Sequence, residues 1–203
     1  MKDKFLVFDF DGTLADTKSL YLNVIHNALL KHDYNIDKKE INKKLGPVLK
    51  ILLINLGVKK KDIIPLSKEV NRVVTKQANN IKLCPYAKQT IEELSKECSI
   101  VLITNSVRPF IYKILKRYNL IKYFSELYCA RFKIKDNGFR EVFKKYRVRA
   151  KDVVYVADTA EDVAIAKRVG CKIIIPLACS WDKEKLKTKK FAIKSLKELS
   201  GVI

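Results

Sequence analysis

The chain has 203 residues, 48% of them hydrophobic and 32% charged, which allows a full core and suggests one domain plus an insert. No apolar run approaches the ~20 residues of a membrane span, which argues against a helical membrane protein. Its 42 Lys and Arg against 22 Asp and Glu leave a net charge of +20, a balance that suits a small anionic ligand or a polyanion such as nucleic acid.

In chain order, the first element is the run "FLVF" (5–8), a strand buried on both faces that ends in Asp9, Asp11 and Gly12. From Thr17 to Leu83 there is no convincing strand, only helical periodicity interrupted at Gly46-Pro47, Gly57 and Pro65. That stretch is too long for an ordinary connection, so it reads as a small all-helical domain over 17–83. Apolar runs then alternate with amphipathic ones. "PYAKQTIEELSKE" (85–97) predicts a helix, "IVLIT" (100–104) a strand and "RPFIYKILKRY" (108–118) a helix. "ELYCA" (126–130) is a weaker strand, "NGFREVFKKY" (137–146) a helix and "VVYVA" (153–157) a strand. "DVAIAKRVG" (162–170) ends on a glycine suited to a helix C-cap, and "KIIIP" (172–176) closes the series as a strand. Strand–helix alternation of this kind predicts a doubly wound, Rossmann-like α/β core with a parallel sheet, over 1–16 and 84–203.

The five cysteines contain no C-x-x-C pair and read as reduced thiols. The N-terminus opens straight into the first strand, so the expectation is a cytoplasmic protein without a signal peptide. The lysines are dispersed, with short clusters at Lys59–Lys61 and Lys187–Lys190 and few aromatics between them. Solvated helix faces are therefore the first reading of the charge, anion steering the second and nucleic-acid binding the third.

The chemistry gathers at strand ends. Asp9 and Asp11, two apart, project together if the strand runs on through Phe10, at the sheet edge where open α/β folds bind ligands. Gly12 allows a sharp turn and close approach of backbone N–H groups to an anion. Asp16 reads as the N-cap of the next helix. Asp158 and Asp162 follow another strand; alone, Asp162 would be a helix-start acid complementing the macrodipole. Together, however, three or four carboxylates at one edge repel unless a hard cation joins them, and oxygen-only ligands select Mg²⁺. Thr104 and Asn105 end a third strand, where a hydroxyl and amide donors suit a phosphoryl oxygen or simply close a turn. Lys135, just before a helix, adds a positive charge or a solvated side chain.

The segments "DFDGTLADT", "LITNS", Lys135 and "VADTAED" resemble, in order, motifs I to IV of the haloacid dehalogenase-like (HAD) superfamily. The helical insert resembles the first type of cap in that superfamily, and "LGPVLKILLINLG" (45–57) is similar to the cap of phosphoglycolate phosphatase-like members. Two departures stand out: Ala157 replaces the usual glycine before the motif IV acid, and no K-P-x-P is present. Lys135 fits one motif III spacing and Lys133 another, so both stay open.

The resemblance implies a phosphatase acting on a small phosphorylated metabolite. Asp9 would be the nucleophile that becomes an aspartyl-phosphate and Asp11 the general acid and base. Mg²⁺ would be held by Asp9, the Asp11 carbonyl and Asp158, with Asp162 acting through water or holding Lys135. Thr104 and Lys135 would bind phosphoryl oxygens beside N–H groups of Gly12 and Asn105; Lys50 either faces the site from the cap or is a solvated helix lysine, and both readings stay open. A phosphosugar mutase, a nucleic-acid-binding protein that keeps the fold, and an inactive scaffold are the alternatives. The substrate and the oligomeric state are not legible.

Overall fold

The structure is a computed structural model that describes residues 4–130 and 135–203. Lys133 lies outside the described residues.

Six strands form one parallel sheet in the order β3-β2-β1-β4-β5-β6. They are β1 (Lys4–Phe8), β2 (Cys98–Thr104), β3 (Glu126–Cys129), β4 (Val153–Val156), β5 (Lys172–Pro176) and β6 (Ala192–Ile193). The first five coincide with the apolar runs. The sixth has two residues, too few for any periodicity to reveal. Because all six run the same way, their C-terminal ends share one edge, and β1 carries β2 on one side and β4 on the other. The order of connection reverses at β1, which opens a crevice at its C-terminal end.

Alternation along β1 divides the core. Leu6 and Phe8 face one apolar cluster and Phe5 and Val7 face the other. Each such buried side chain stabilises the fold by about 1.5–3 kcal/mol. The second cluster is closed by helices α7 (Lys135–Tyr146) and α8 (Ala160–Val169), through Phe139, Val142 and Ile165. α8 stops where Gly170 takes φ +81°, a conformation a side chain would strain. The first cluster takes in α5 (Ala87–Leu94) and α6 (Arg108–Arg117).

Between β1 and β2 the chain forms α1 (Lys18–Lys31), α2 (Lys38–Lys44), α3 (Leu49–Asn55) and α4 (Lys60–Gln77), with no named strand among them. The chain enters and leaves this insert side by side. Asp16 N–H donates to the Lys82 carbonyl at 3.0 Å, and Cys84 N–H donates to the Leu14 carbonyl at 2.9 Å. Its apolar residues are continuous with the sheet face, because Phe110 meets both Phe10 and Tyr21 edge to face.

Two expectations are corrected. Pro65 does not interrupt the insert: α4 runs through it. The proline removes a bond to the Lys61 carbonyl, but Lys61 is exposed and water can take that acceptor. Asp16 does not cap α1: the N-cap is Thr17, with no side-chain cap bond, and Asp16 is exposed. No helix among the described residues is long and apolar enough to cross a membrane, and the five cysteines remain thiols.

Candidate active site

The β1 ladder continues one residue past the strand, since Asp9 N–H donates to the Val156 carbonyl at 2.9 Å. This fixes Asp9 beside the end of β4, where Asp158 follows. The Phe10 carbonyl then accepts from the N–H groups of Thr13, Leu14 and Ala15 (3.3, 2.9 and 3.0 Å), folding the chain into a tight loop. Gly12 sits there at φ +75°, and a Cβ on it would lie 2.2 Å from Asp158 Oδ2 and 2.6 Å from Trp181 Cδ1. Its N–H is engaged by the Ala15 carbonyl at 2.8 Å. What the structure shows for Gly12 is therefore space for the loop to approach Asp158.

Asp9 is buried with its two oxygens treated differently. Oδ2 pairs with Lys135 Nζ at 2.8 Å, whereas Oδ1 has no hydrogen-bond partner among the described residues. Lys135 Nζ also pairs with Asp162 Oδ1 at 2.8 Å and donates to the Tyr155 hydroxyl at 3.0 Å. Asp162 is fully engaged: Tyr155 donates to Oδ1 at 2.6 Å, and Oδ2 accepts from the Thr159 hydroxyl at 2.5 Å and the Thr159 N–H at 3.2 Å. Thr159 and Asp162 also form a capping box at the start of α8. Asp162 thus starts a helix and holds a buried lysine at once.

The same lysine leaves its two partners in opposite states. Burial raises the Asp162 pKa, but the Lys135 charge and the four donors outweigh it and hold the carboxyl below its usual range. For Asp9, burial wins over Lys135, and the charges of Asp162 and Asp11 add to it, pushing the carboxyl up to about 7. Burial also works against the Lys135 ammonium, yet Asp162 and Asp9 hold its pKa well above the usual lysine value. Asp158 is driven well upward by burial and by the charges of Asp162 and Asp9. It accepts from the Trp181 N–H at 2.8 Å and the Thr13 hydroxyl at 3.4 Å.

Carboxylate oxygens of Asp9, Asp158 and Asp162 lie within 4.8 Å of one another, all buried. Three acids against one lysine leave an excess of negative charge, and the unpartnered Asp9 Oδ1 belongs to the group. This donor set fits a hard divalent cation. Each Asp162 oxygen already takes two protein donors, whereas each Asp158 oxygen takes one and Asp9 Oδ1 takes none among the described residues, so Asp9 and Asp158 have the greater capacity to ligate.

Asp11 faces another way. Oδ1 accepts from the Thr17 hydroxyl at 2.7 Å; Oδ2 accepts from the Ser106 hydroxyl at 2.6 Å and the Thr104 hydroxyl at 3.4 Å. Burial raises its pKa, while the bonds from Ser106 and Thr17 pull it down. Thr104 is thus turned toward Asp11, not outward.

These groups line a cavity of about 60 Å³ beneath the insert, shared by Asp9, Asp11, Asn105, Ser106, Lys135, Asp158 and Asp162. Asn105 Nδ2 donates to the Gly46 carbonyl of the insert at 3.3 Å, tying its roof to β2. Lys50 does not reach the cavity and is exposed, against expectation. The reason is helical phase: Leu49 and Leu52 point inward on α3, and Lys50, about 100° further round, points out.

Sequence reasoning missed Thr17, Tyr21, Ser106, Tyr155, Thr159 and Trp181. The T-x-x-D spacing of a capping box could have found Thr159. Ser106 is the last residue of "LITNS", in which only Thr104 and Asn105 drew a role. Nothing local marks Trp181, which arrives from the loop after β5.

The model of the family "Haloacid dehalogenase-like hydrolase" matches residues 6–175. A phosphoglycolate phosphatase of Vibrio parahaemolyticus is 22% identical over 83% of this chain and 81% of its own. The pyrophosphatase PpaX of Oceanobacillus iheyensis is 26% identical over 63% of this chain and 59% of its own. The structure of CbbY from Rhodobacter sphaeroides in complex with phosphate superposes with a TM-score of 0.82 at 17% identity, covering 98% of this chain and 96% of that one. At that identity the likeness speaks for the fold.

Proposed function

The chain belongs to the haloacid dehalogenase-like hydrolase family, and on that premise we propose that it is a Mg²⁺-dependent phosphatase of a small phosphate monoester. The observation that carries this reading is the unlike treatment of two carboxylates on one strand end. Asp9 keeps an oxygen without a partner among the described residues, while Asp11 is held by hydroxyls. Environments that push neighbouring acids into different roles mark acid–base assignments.

In this reading Asp9 bonds to phosphorus as the ester P–O bond breaks, and Asp11 gives its proton to the departing alkoxide. Water then attacks phosphorus, Asp11 takes a proton from it, the bond to Asp9 breaks and inorganic phosphate leaves. Bound Mg²⁺, held by Asp9, Asp158 and the Asp11 carbonyl, would offset the repulsion between the nucleophile and an anionic phosphate. Lys135 steadies Asp9 and presents charge to the phosphoryl oxygens, and Asp162 keeps Lys135 in place. Residues 17–83 act as a cap that shields the reaction from water. The phosphate complex of CbbY and the phosphatase names of the two relatives support the substrate class.

The direct test is release of inorganic phosphate from small phosphate monoesters such as 2-hydroxyethyl phosphate with and without Mg²⁺. Turnover that needs Mg²⁺ and is lost in Asp9→Asn is expected. A native protein inert toward a broad panel of phosphate esters would overturn the reading.

A further inference from the structure

The cavity has a polar floor and an apolar roof. The floor is the acid cluster with Lys135; the roof is Tyr21, Ile25, Leu45, Pro47, Leu49 and Leu52, all from the insert. The remaining polar side chains facing the roof are uncharged. Asn71 of α4 is one, and Trp181, whose buried indole N–H has no acceptor among the described residues, is another. Among the described residues that roof carries no cation, and Lys50, the one expected there, is exposed.

With the phosphoryl group on the floor, the leaving alcohol must lie under this roof. We propose that the site selects esters whose leaving group is short and uncharged, and discriminates against those carrying a second anion, whether carboxylate or phosphate. This rests on the phosphatase reading and separates the chain from what its two named relatives act on. A carboxylate pressed against Leu and Ile side chains loses its water without gaining a counter-charge, which is far costlier than burying a hydroxyl. It would also face Asp9, Asp11 and Asp158 across a narrow cavity. An uncharged hydroxyl can instead use the Trp181 N–H or the Asn71 amide. Size acts in the same direction: about 60 Å³ is room for roughly four to six waters at ~10–15 Å³ each.

The test compares kcat/KM with Mg²⁺ for 2-hydroxyethyl phosphate, for 2-phosphoglycolate, which differs chiefly in carrying a carboxylate, and for inorganic pyrophosphate. The neutral ester is expected to be favoured at least tenfold over both anions. Leu49→Lys, which places a cation on the roof, is expected to narrow the gap to 2-phosphoglycolate at least tenfold. Equal or better turnover of either anion by the native protein overturns the proposal, as does a gap that Leu49→Lys leaves unchanged. Failure to turn over any ester, p-nitrophenyl phosphate included, instead sinks the phosphatase premise and the proposal with it.

Discussion

The Ser106 hydroxyl donates to Asp11 Oδ2 across 2.6 Å, and its own oxygen stands 2.5 Å from the Tyr21 hydroxyl. With the single Ser106 proton committed to an ionised Asp11, Tyr21 must be the donor in the second bond. A chain of two hydroxyls therefore runs from the first helix of the insert to the proposed acid.

That chain predicts a pH effect with a definite sign. The Ser106 bond lowers the Asp11 pKa against the raising effect of burial. Removing it in Ser106→Ala lets the pKa rise further, so Asp11 stays protonated to higher pH. The basic limb of kcat/KM is expected to move upward, with kcat reduced roughly tenfold. Tyr21→Phe should move it the same way by less. A limb that stays put or moves to lower pH in Ser106→Ala contradicts this role.

Lys135 holds two buried carboxylates, so its loss leaves both uncompensated. Lys135→Met is expected to abolish turnover and cost about 3–5 kcal/mol of stability in denaturant unfolding. Lys135→Arg should not restore it, because a planar guanidinium does not fit an ammonium site. A Lys135→Met protein as stable as the native one would show that the pair does not hold the site together.

Metal and pH are linked through Asp9. Its carboxyl, pushed up to about 7 from an ordinary 3.8, is harder to ionise in the folded chain than in the unfolded one. Its contribution to stability is thus full below about pH 4 and is lost as pH rises through about 7. Asp158, also raised, has the same sign. Without metal, the melting temperature should fall over that window, and Asp9→Asn should flatten part of the fall. Added Mg²⁺ should raise it more at pH 8 than at pH 5. Equal Mg²⁺ effects at both values would argue against binding at these acids.

Two substitutions separate position from proximity in sequence. Lys50→Ala should change kcat/KM by less than about twofold, since the side chain is exposed away from the cavity. Gly12→Ala should lose nearly all activity, because its Cβ would overlap Asp158 Oδ2 at 2.2 Å. A silent Gly12→Ala would mean that the loop has room the structure does not show.

Much of this was legible in the chain because strand ends carry their own signal. An apolar run closing on acids marks Asp9, Asp11 and Asp158, and parallel topology puts such ends on one edge. Asp162 and Lys135 each had an ordinary reading alone and stood out only beside the other acids and through the likeness to the family's motifs; Lys135 is the first residue of α7. The relay was not, because Tyr21 reads as one more apolar position on an amphipathic helix and only the fold sets it against Ser106. Lys50 misled for the converse reason: it adjoins residues that do line the cavity, but one step along a helix turns a side chain away. The two-residue β6 carried too little pattern to see.

The central claim is that Asp9 carries the phosphoryl group. Acid-quenched single turnover with a ³²P-labelled ester and Mg²⁺, in the native protein and in Asp11→Asn, tests it most directly. Label that is hydroxylamine-labile, maps to the peptide holding Asp9 and accumulates in Asp11→Asn is the predicted result. Phosphate released with no label on that peptide at any time, or undiminished turnover by Asp9→Asn, would contradict it.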